Sequence, residues 1–224
     1  MQISVVIPAF QAAATLAETL HSIGAQTRQP DEVIVVDDGS TDGTADIART
    51  AMPSARVITQ ANAGAAAATN VGVAAARGDL LAMLDADDLW MPGKLAAQEA
   101  ALREAPHLAG IGGGMESFAC PSLSPAMAAR MVPQGGAVPC LLAGAVLLRR
   151  AVHDTIGPYD EALRVGYTID WMHRARLAGA LFDVLPEVVL RRRIRAGSLS
   201  SRAGGSQPGF LAMARLAIAR RRAV

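Results

Sequence analysis

The sequence predicts an α/β fold, a mostly parallel sheet flanked by helices in one domain. Over roughly the first hundred residues, short β-branched runs alternate with helix-period segments, as strands covered by helices require. Two of those runs end in carboxylate-rich turns, Asp37-Asp38 and Asp85-Ala86-Asp87-Asp88. A chain of 224 residues with 51% apolar content is long enough for one sizeable core.

Residues 3–7 (ISVVI) form the first expected strand, stopped by Pro8. Leu16, Leu20 and Ile23 recur at i, i+4 and i+7, giving a helix one apolar face. Pro30 closes that unit. Residues 32–36 make a second buried strand, ended by the polar and glycine loop from Asp37 to Gly43, and a helix runs on to about Ala51. A third strand covers residues 56–59, a helix 64–76 and a fourth strand 79–84. The next helix starts near Pro92, because proline is tolerated in a first helical turn. After Ala105 the pattern loosens: the run Gly112-Gly113-Gly114 and the Pro/Ser-rich stretch 120–139 read as mobile loops. A helix over 168–178 and a strand over 187–194 follow, then a Gly/Ser-rich stretch 196–206 and a helical tail from Gly209 ending Arg220-Arg221-Arg222. No internal repeat is found.

The 21 Lys+Arg against 20 Asp+Glu give no field of the kind a dedicated nucleic-acid binder carries, so the expected partner is small. Cys120 and Cys140 supply neither a disulfide framework nor zinc spacing, which favours a reducing cytoplasm. The opening MQISVVIPAF lacks a basic leader segment and reads as a strand rather than an export signal. The apolar run 137–148 is broken by Pro139 and Gly144 and is shorter than the ~20 residues of a spanning helix. The basic runs 191–193 and 220–222 read as solvated faces that offer weak attraction to anionic lipid at the inner membrane face.

Ligands of open α/β sheets bind beyond the carboxyl ends of the strands, where both acidic clusters fall. In the first, Asp42 and its neighbours serve as caps, which leaves Asp38 to accept hydrogen bonds from a nucleobase or ribose. In the second, Asp85, Asp87 and Asp88 repel one another unless a cation intervenes. Mg²⁺ or Mn²⁺, which take a few carboxylates together with phosphate oxygens and water, meet that need. Asp88 is also a candidate N-cap of the next helix, and Trp90 and Met91 read as core. The first strand-to-helix turn, IPAFQAAATL, carries neither a P-loop nor a GxGxxG fingerprint. That disfavours a dinucleotide-dependent oxidoreductase, and likewise a sugar nucleotidyltransferase.

VVIPAFQAAATL, EVIVVDDGSTDGT, NAGAAAATN, ARGDLLAMLDADDLWMP and GPYDEAL together resemble family 2 glycosyltransferases with the Rossmann-related GT-A fold. The resemblance implies transfer of a sugar from a nucleoside diphosphate donor to a hydroxyl acceptor, with inversion and the help of Mn²⁺ or Mg²⁺. It implies that Pro8, Ala9 and Phe10 line the nucleotide, that Asp38 contacts the base, and that Asp85 and Asp87 are the Asp-x-Asp pair, Asp87 being the more direct metal ligand. Residues 1–105 would be the nucleotide-sugar half, 106–206 the acceptor-side half of the same domain, and 207–224 a basic C-terminal helix.

The sequence departs from that pattern at four places. Gln11 replaces an Asn, and Thr69 replaces an Arg before Asn70. In GYTIDWMHRARLAG the family's Glu-Asp pair, source of the acceptor base, falls on Tyr167 and Thr168, so the base role passes to Asp170, which also stands four residues before Arg174. Arg195 takes the place of a histidine near the metal and is assigned to grip the diphosphate. The rival reading is a non-catalytic relative that binds a nucleotide sugar and acts through a partner.

Overall fold

The computed structural model describes residues 1–196. The stretch beyond Ala196, with the expected C-terminal basic helix and Arg220 to Arg222, lies outside them. In chain order the elements are β1 (Ile3–Ala9), α1 (Leu16–Gly24), β2 (Glu32–Asp37), α2 (Thr44–Ala51), β3 (Arg56–Thr59), α3 (Ala65–Ala75), β4 (Leu80–Met83) and β5 (Leu89–Trp90). Then come α4 (Lys94–Glu104), β6 (Gly110–Ala119), α5 (Pro125–Met131), β7 (Val138–Cys140), β8 (Leu147–Arg149), α6 (Arg150–Ile156), α7 (Tyr167–Leu177) and β9 (Phe182–Ile194). The strands join in one sheet of order β3-β2-β1-β4-β8-β6-β9-β5, with β7 paired to β6.

Strands β1 to β4 run parallel, β8 runs against both β4 and β6, and β6 and β9 are parallel to each other. Through the reversed β8, strands β6 and β9 therefore point the same way as β1 to β4. Their carboxyl ends share one edge of the sheet, where an acidic loop from the first half can meet a basic strand end from the second.

Both faces of β1 and β2 are buried, as helix-covered parallel strands require. Val5, Ile7, Val33 and Val35 pack with Leu16, Leu20 and Ile23 of α1 and with Leu95 and Leu102 of α4. Val6, Ile34 and Val36 pack on the other face with Ala66, Ala68 and Val73 of α3 and with Trp171 and Ala175 of α7. Helix α3 lies so close to the sheet that a Cβ on Gly72 would collide with Val6 Cγ1 and stand 3.2 Å from Val36 Cγ2. The alanine richness of this segment is thus a packing requirement.

The second half is more regular than expected. The glycine run is not a loop but the middle of β6. A Cβ on Gly112 would strike the Cys140 carbonyl, and one on Gly113 would lie 2.6 Å from Val189 Cγ1, so the strands can approach only where side chains are missing. The β6–β9 register shifts at these glycines, as at a bulge. The stretch 120–139 contains α5, started by Ser124, whose hydroxyl accepts the Met127 N–H at 3.3 Å, and by Pro125 in the first turn. Strand β9 begins at Phe182, earlier than expected, its outer end being masked in sequence by Asp183, Pro186 and Glu187. No helix among the described residues is long and apolar enough to cross a membrane.

Lys94 is buried, 1% exposed. Its Nζ donates to Gln98 Oε1 at 2.7 Å and lies 4.3 Å from the Trp90 ring centroid, while Gln98 Nε2 donates to the carbonyls of Ile111 and Ala145. Burial pushes the amine down to about 7. An unfolded lysine titrates near 10.4, so between these values the unfolded chain holds a proton that the folded one lacks. Stability from this group therefore rises with pH across that window and is lost as pH falls towards 7. Urea unfolding from about pH 7 to about pH 10 should show this rise in the parent relative to Lys94→Met. Parallel profiles for the two proteins would refute it.

Candidate active site

Three strand ends build the site. At the end of β1 Pro8 is partly buried and Ala9 buried, while Phe10, just beyond the strand, is 50% exposed and is the one of the three that offers its face to solvent. Gln11 adopts a left-handed φ of 50°. Its backbone N–H donates to Ser40 Oγ at 2.9 Å, its side-chain amide donates to Thr41 Oγ1 at 3.0 Å, and its Oε1 accepts the Thr41 N–H at 3.2 Å. The residue replacing the family's Asn thus ties the loop after β1 to the loop after β2. Asp42 reinforces the tie, accepting from Ala13 N–H at 3.0 Å and Thr44 N–H at 3.1 Å, in keeping with a capping role.

Asp38 is 2% exposed and its carboxylate is saturated. Oδ1 accepts from Gln60 Nε2 and Ala63 N–H, each at 2.8 Å, and Oδ2 accepts from Asn62 Nδ2 at 3.1 Å and Gly64 N–H at 2.8 Å. An ionised carboxylate has about four acceptor positions, and residues 60–64 occupy all of them in this structure. The structure gives Asp38 the work of folding residues 60–64 around itself. Gly39 permits this with a φ of 77°, since a Cβ there would lie 2.9 Å from the Asn62 nitrogen.

The turn after β4 is gripped from two sides. Thr15 Oγ1 donates to the Ala86 carbonyl at 2.9 Å, and Thr19 Oγ1 reaches the carbonyls of Ala86 at 3.1 Å and Asp88 at 2.9 Å. From β9, the Arg193 N–H donates to Asp88 Oδ1 at 2.7 Å, its Nε donates to the Asp87 carbonyl at 2.8 Å and its guanidinium pairs with Glu18 at 2.6 Å. Asp88 is therefore a buried partner of β9 and not the cap of α4, which starts after Gly93. Nor is the 191–193 run a solvated face. Arg193 is 6% exposed, and both it and Arg191 lie 4.7 Å from the Phe118 ring centroid. Arg195 Nε donates to Asp87 Oδ2 at 2.7 Å.

Crowding of like charge shows in the titration. Asp85 is open to solvent on one side yet closely surrounded by protein. That enclosure first, limited by the solvent access, and then the charge of Asp87 push its carboxyl up to about 6, with Arg192 acting in the opposite sense. Burial, followed by Asp85 and Asp87, holds Asp88 well above the usual carboxylate range. Among the described residues no three His, Cys, Asp or Glu side chains converge on a metal position. Among the described residues no guanidinium hydrogen-bonds Asp85 or the second oxygen of Asp87. Two such carboxylates suit a cation that completes its shell with water and phosphate oxygens.

On α7 the structure separates two residues that sequence left together. Asp170 is 5% exposed and accepts Arg174 Nε at 3.1 Å, while Arg174 also donates to the carbonyls of Ile156 and Pro158. It anchors α7 to the chain before it. Tyr167, one turn earlier, meets Thr69 with 3.4 Å between hydroxyl oxygens. Because the Thr69 hydroxyl donates to the Ala65 carbonyl at 2.7 Å, the phenol is the donor of the pair. Burial, then the nearby charge of Asp85, raise the Tyr167 phenol, so it keeps its proton at neutral pH. The two departures at 69 and 167 are thus neighbours in space. Sequence reasoning missed Thr15, Thr19, Arg193 and Tyr167. The threonines had left a signal, polar residues at i and i+4 beside the buried Leu16 and Leu20.

The model of the family described as "Glycosyl transferase family 2" matches residues 4–156. The succinoglycan biosynthesis protein ExoU of Rhizobium meliloti is 31% identical over 221 residues, covering 88% of this chain and 64% of that protein. The putative glycosyltransferase EpsE of Bacillus subtilis is 32% identical over 171 residues, covering 73% of this chain and 62% of that one. The chain thus spans less than two thirds of the length of these relatives. Among solved structures, S. aureus TarS superposes with a TM-score of 0.71 at 20% identity over 97% of this chain and 39% of its own. TarS 1–349 in complex with UDP-GlcNAc gives 0.70 at 22% identity, over 90% of this chain and 61% of its own. The shared GT-A fold and the extent of the sequence match lead to one assignment: the chain belongs to glycosyl transferase family 2.

Proposed function

We propose that the protein moves a sugar from a nucleoside diphosphate donor to a hydroxyl acceptor, with inversion, at the edge where β1, β2 and β4 end. The observation that carries this reading is the convergence there of an exposed aromatic face, Phe10, with the paired carboxylates Asp85 and Asp87 on a turn locked from both sides. The likeness to a protein solved with UDP-GlcNAc supports a nucleotide-sugar donor.

Phe10 gives a nucleobase a surface to stack on, with Pro8 and Ala9 shaping the backbone beneath it. Asp38 contributes indirectly, as a positioning residue that fixes the 60–64 loop. Asp85 and Asp87 would hold Mn²⁺ or Mg²⁺, which when bound neutralises charge on the departing diphosphate. Arg195 stands beside Asp87 with a planar fork suited to phosphate oxygens. Asp170, buried and paired with Arg174, holds α7 in place. One observation favours a second reading, donor binding without transfer: Tyr167, an α7 residue within electrostatic reach of Asp85, is a protonated phenol where the family resemblance places an acid.

Release of nucleoside diphosphate from a panel of sugar donors, with Mn²⁺ and an extract supplying acceptors, separates the two readings. Turnover that falls at least about a hundredfold in Asp87→Asn, with an unchanged melting temperature, is the result expected of a metal-assisted transferase. Donor binding with no turnover in the parent selects the second reading. Asp170→Asn should lower stability and turnover together. A loss of roughly 10²–10⁴ in turnover at full stability and donor affinity would instead make it the base. Asp38→Ala leaves four donors without their acceptor and should cost at least about 2 kcal/mol, with faster amide exchange at residues 63 and 64. Unchanged exchange there would return Asp38 to the role of a ligand contact.

A further inference from the structure

We propose that Arg195 and the divalent cation are alternative partners of Asp87, so that metal and diphosphate enter the site as a coupled pair. The inference rests on the reading of Asp85 and Asp87 as the metal-holding residues.

Among the described residues two arginines from the end of β9 hydrogen-bond the acidic turn, and they differ in how firmly they are held. The Arg193 side chain is 4% exposed and fixed by Glu18, the Asp87 carbonyl and the Phe118 ring. Arg195, two residues on, bonds Asp87 Oδ2 at 2.7 Å with side chains that are 38% and 20% exposed. Arg193 is a fixture of the fold, and Arg195 is an exchangeable counterion. A guanidinium on one Asp87 oxygen weakens the field that a small dication needs and blocks one coordination direction. A dication alone therefore gains both oxygens of Asp87 only by displacing it, against a carboxylate already neutralised.

A diphosphate changes that balance. It brings enough negative charge for metal and guanidinium to coexist, and it offers oxygens matched to the fork of Arg195. Arg195 would leave Asp87 for the diphosphate while the metal takes the vacated oxygen. The two ligands then bind with positive coupling, each raising the affinity of the other by the same factor. Such coupling keeps a bare cation from occupying the acidic turn and favours cation that arrives with a diphosphate.

Electron paramagnetic resonance titration of Mn²⁺ into the full chain tests this, with inorganic pyrophosphate standing for the donor diphosphate of any base. Without pyrophosphate, Arg195→Gln should bind Mn²⁺ roughly fivefold more tightly than the parent, the scale of a partly exposed ion pair. In saturating Mn²⁺ it should bind pyrophosphate roughly tenfold more weakly, one charge-assisted contact having gone. Arg195→Lys keeps the charge and should stay near the parent in the first titration. Opposite signs for the two effects identify exchange. A fall in both affinities marks a merely structural residue, and an unchanged Mn²⁺ affinity a bystander; either result overturns the proposal. Asp87→Asn in the parent and Arg195→Gln backgrounds locates any failure: Mn²⁺ binding that does not need Asp87 overturns the metal-pair reading, and the exchange falls with it.

Discussion

The turn from Asp85 to Asp88 sets three carboxyl groups within four residues, and the site depends on how that repulsion is contained. The protein contains it through the backbone. Thr15 and Thr19 occupy the carbonyls of Ala86 and Asp88, and Arg193 takes the carbonyl of Asp87. Asp88 is turned inward to the N–H of Arg193. Held at its carbonyls, the turn presents the Asp85 carboxylate and that of Asp87 in a fixed relation, without first ordering a loop when a ligand arrives. A site positioned in advance in this way loses less affinity to reorganisation.

The β1–β2 side and the α7 side of the site differ in character. On the β1–β2 side the polar loops are tied together, Gln11 to Ser40 and Thr41, Asp38 to residues 60–64. Those ties form a continuous wall from the end of β1 to the start of α3. On the α7 side, a neutral pair, Thr69 and Tyr167, stands where the family resemblance places an arginine and an acid. The two touch, with 3.4 Å between their hydroxyl oxygens. A charged residue at either position would need a partner here or carry a large desolvation cost, and a neutral pair avoids it.

Much of this was legible in the sequence because it rests on local pattern. The apolar stripe of α1, the buried runs of β1, β2 and β4 and the acidic strand ends follow from periodicity and from residue types at strand termini. Gly112 to Gly114 misled because glycine in a run signals a turn, and only the partner strand shows that it permits close approach. The partners of Asp38 and Asp170 stayed hidden for another reason. A carboxylate looks available until its donors are known, and those of Asp38 come from residues 60–64, after an intervening helix and strand. The arginine run was read as a solvated face because nothing local places Phe118 between two of its members.

The hydrogen bond from the Arg193 N–H to Asp88 spans 105 residues of sequence. Strands β1 to β4 pair among themselves within residues 3–83, all of which precede β9, so their part of the sheet can assemble before β9 has been synthesised. The contacts from β9 to the acidic turn can form only afterwards. Until they form, Asp85, Asp87 and Asp88 face one another without their guanidinium partners. On the ribosome the acidic turn is thus neutralised only after β9 has emerged, later than the main hydrophobic core can form.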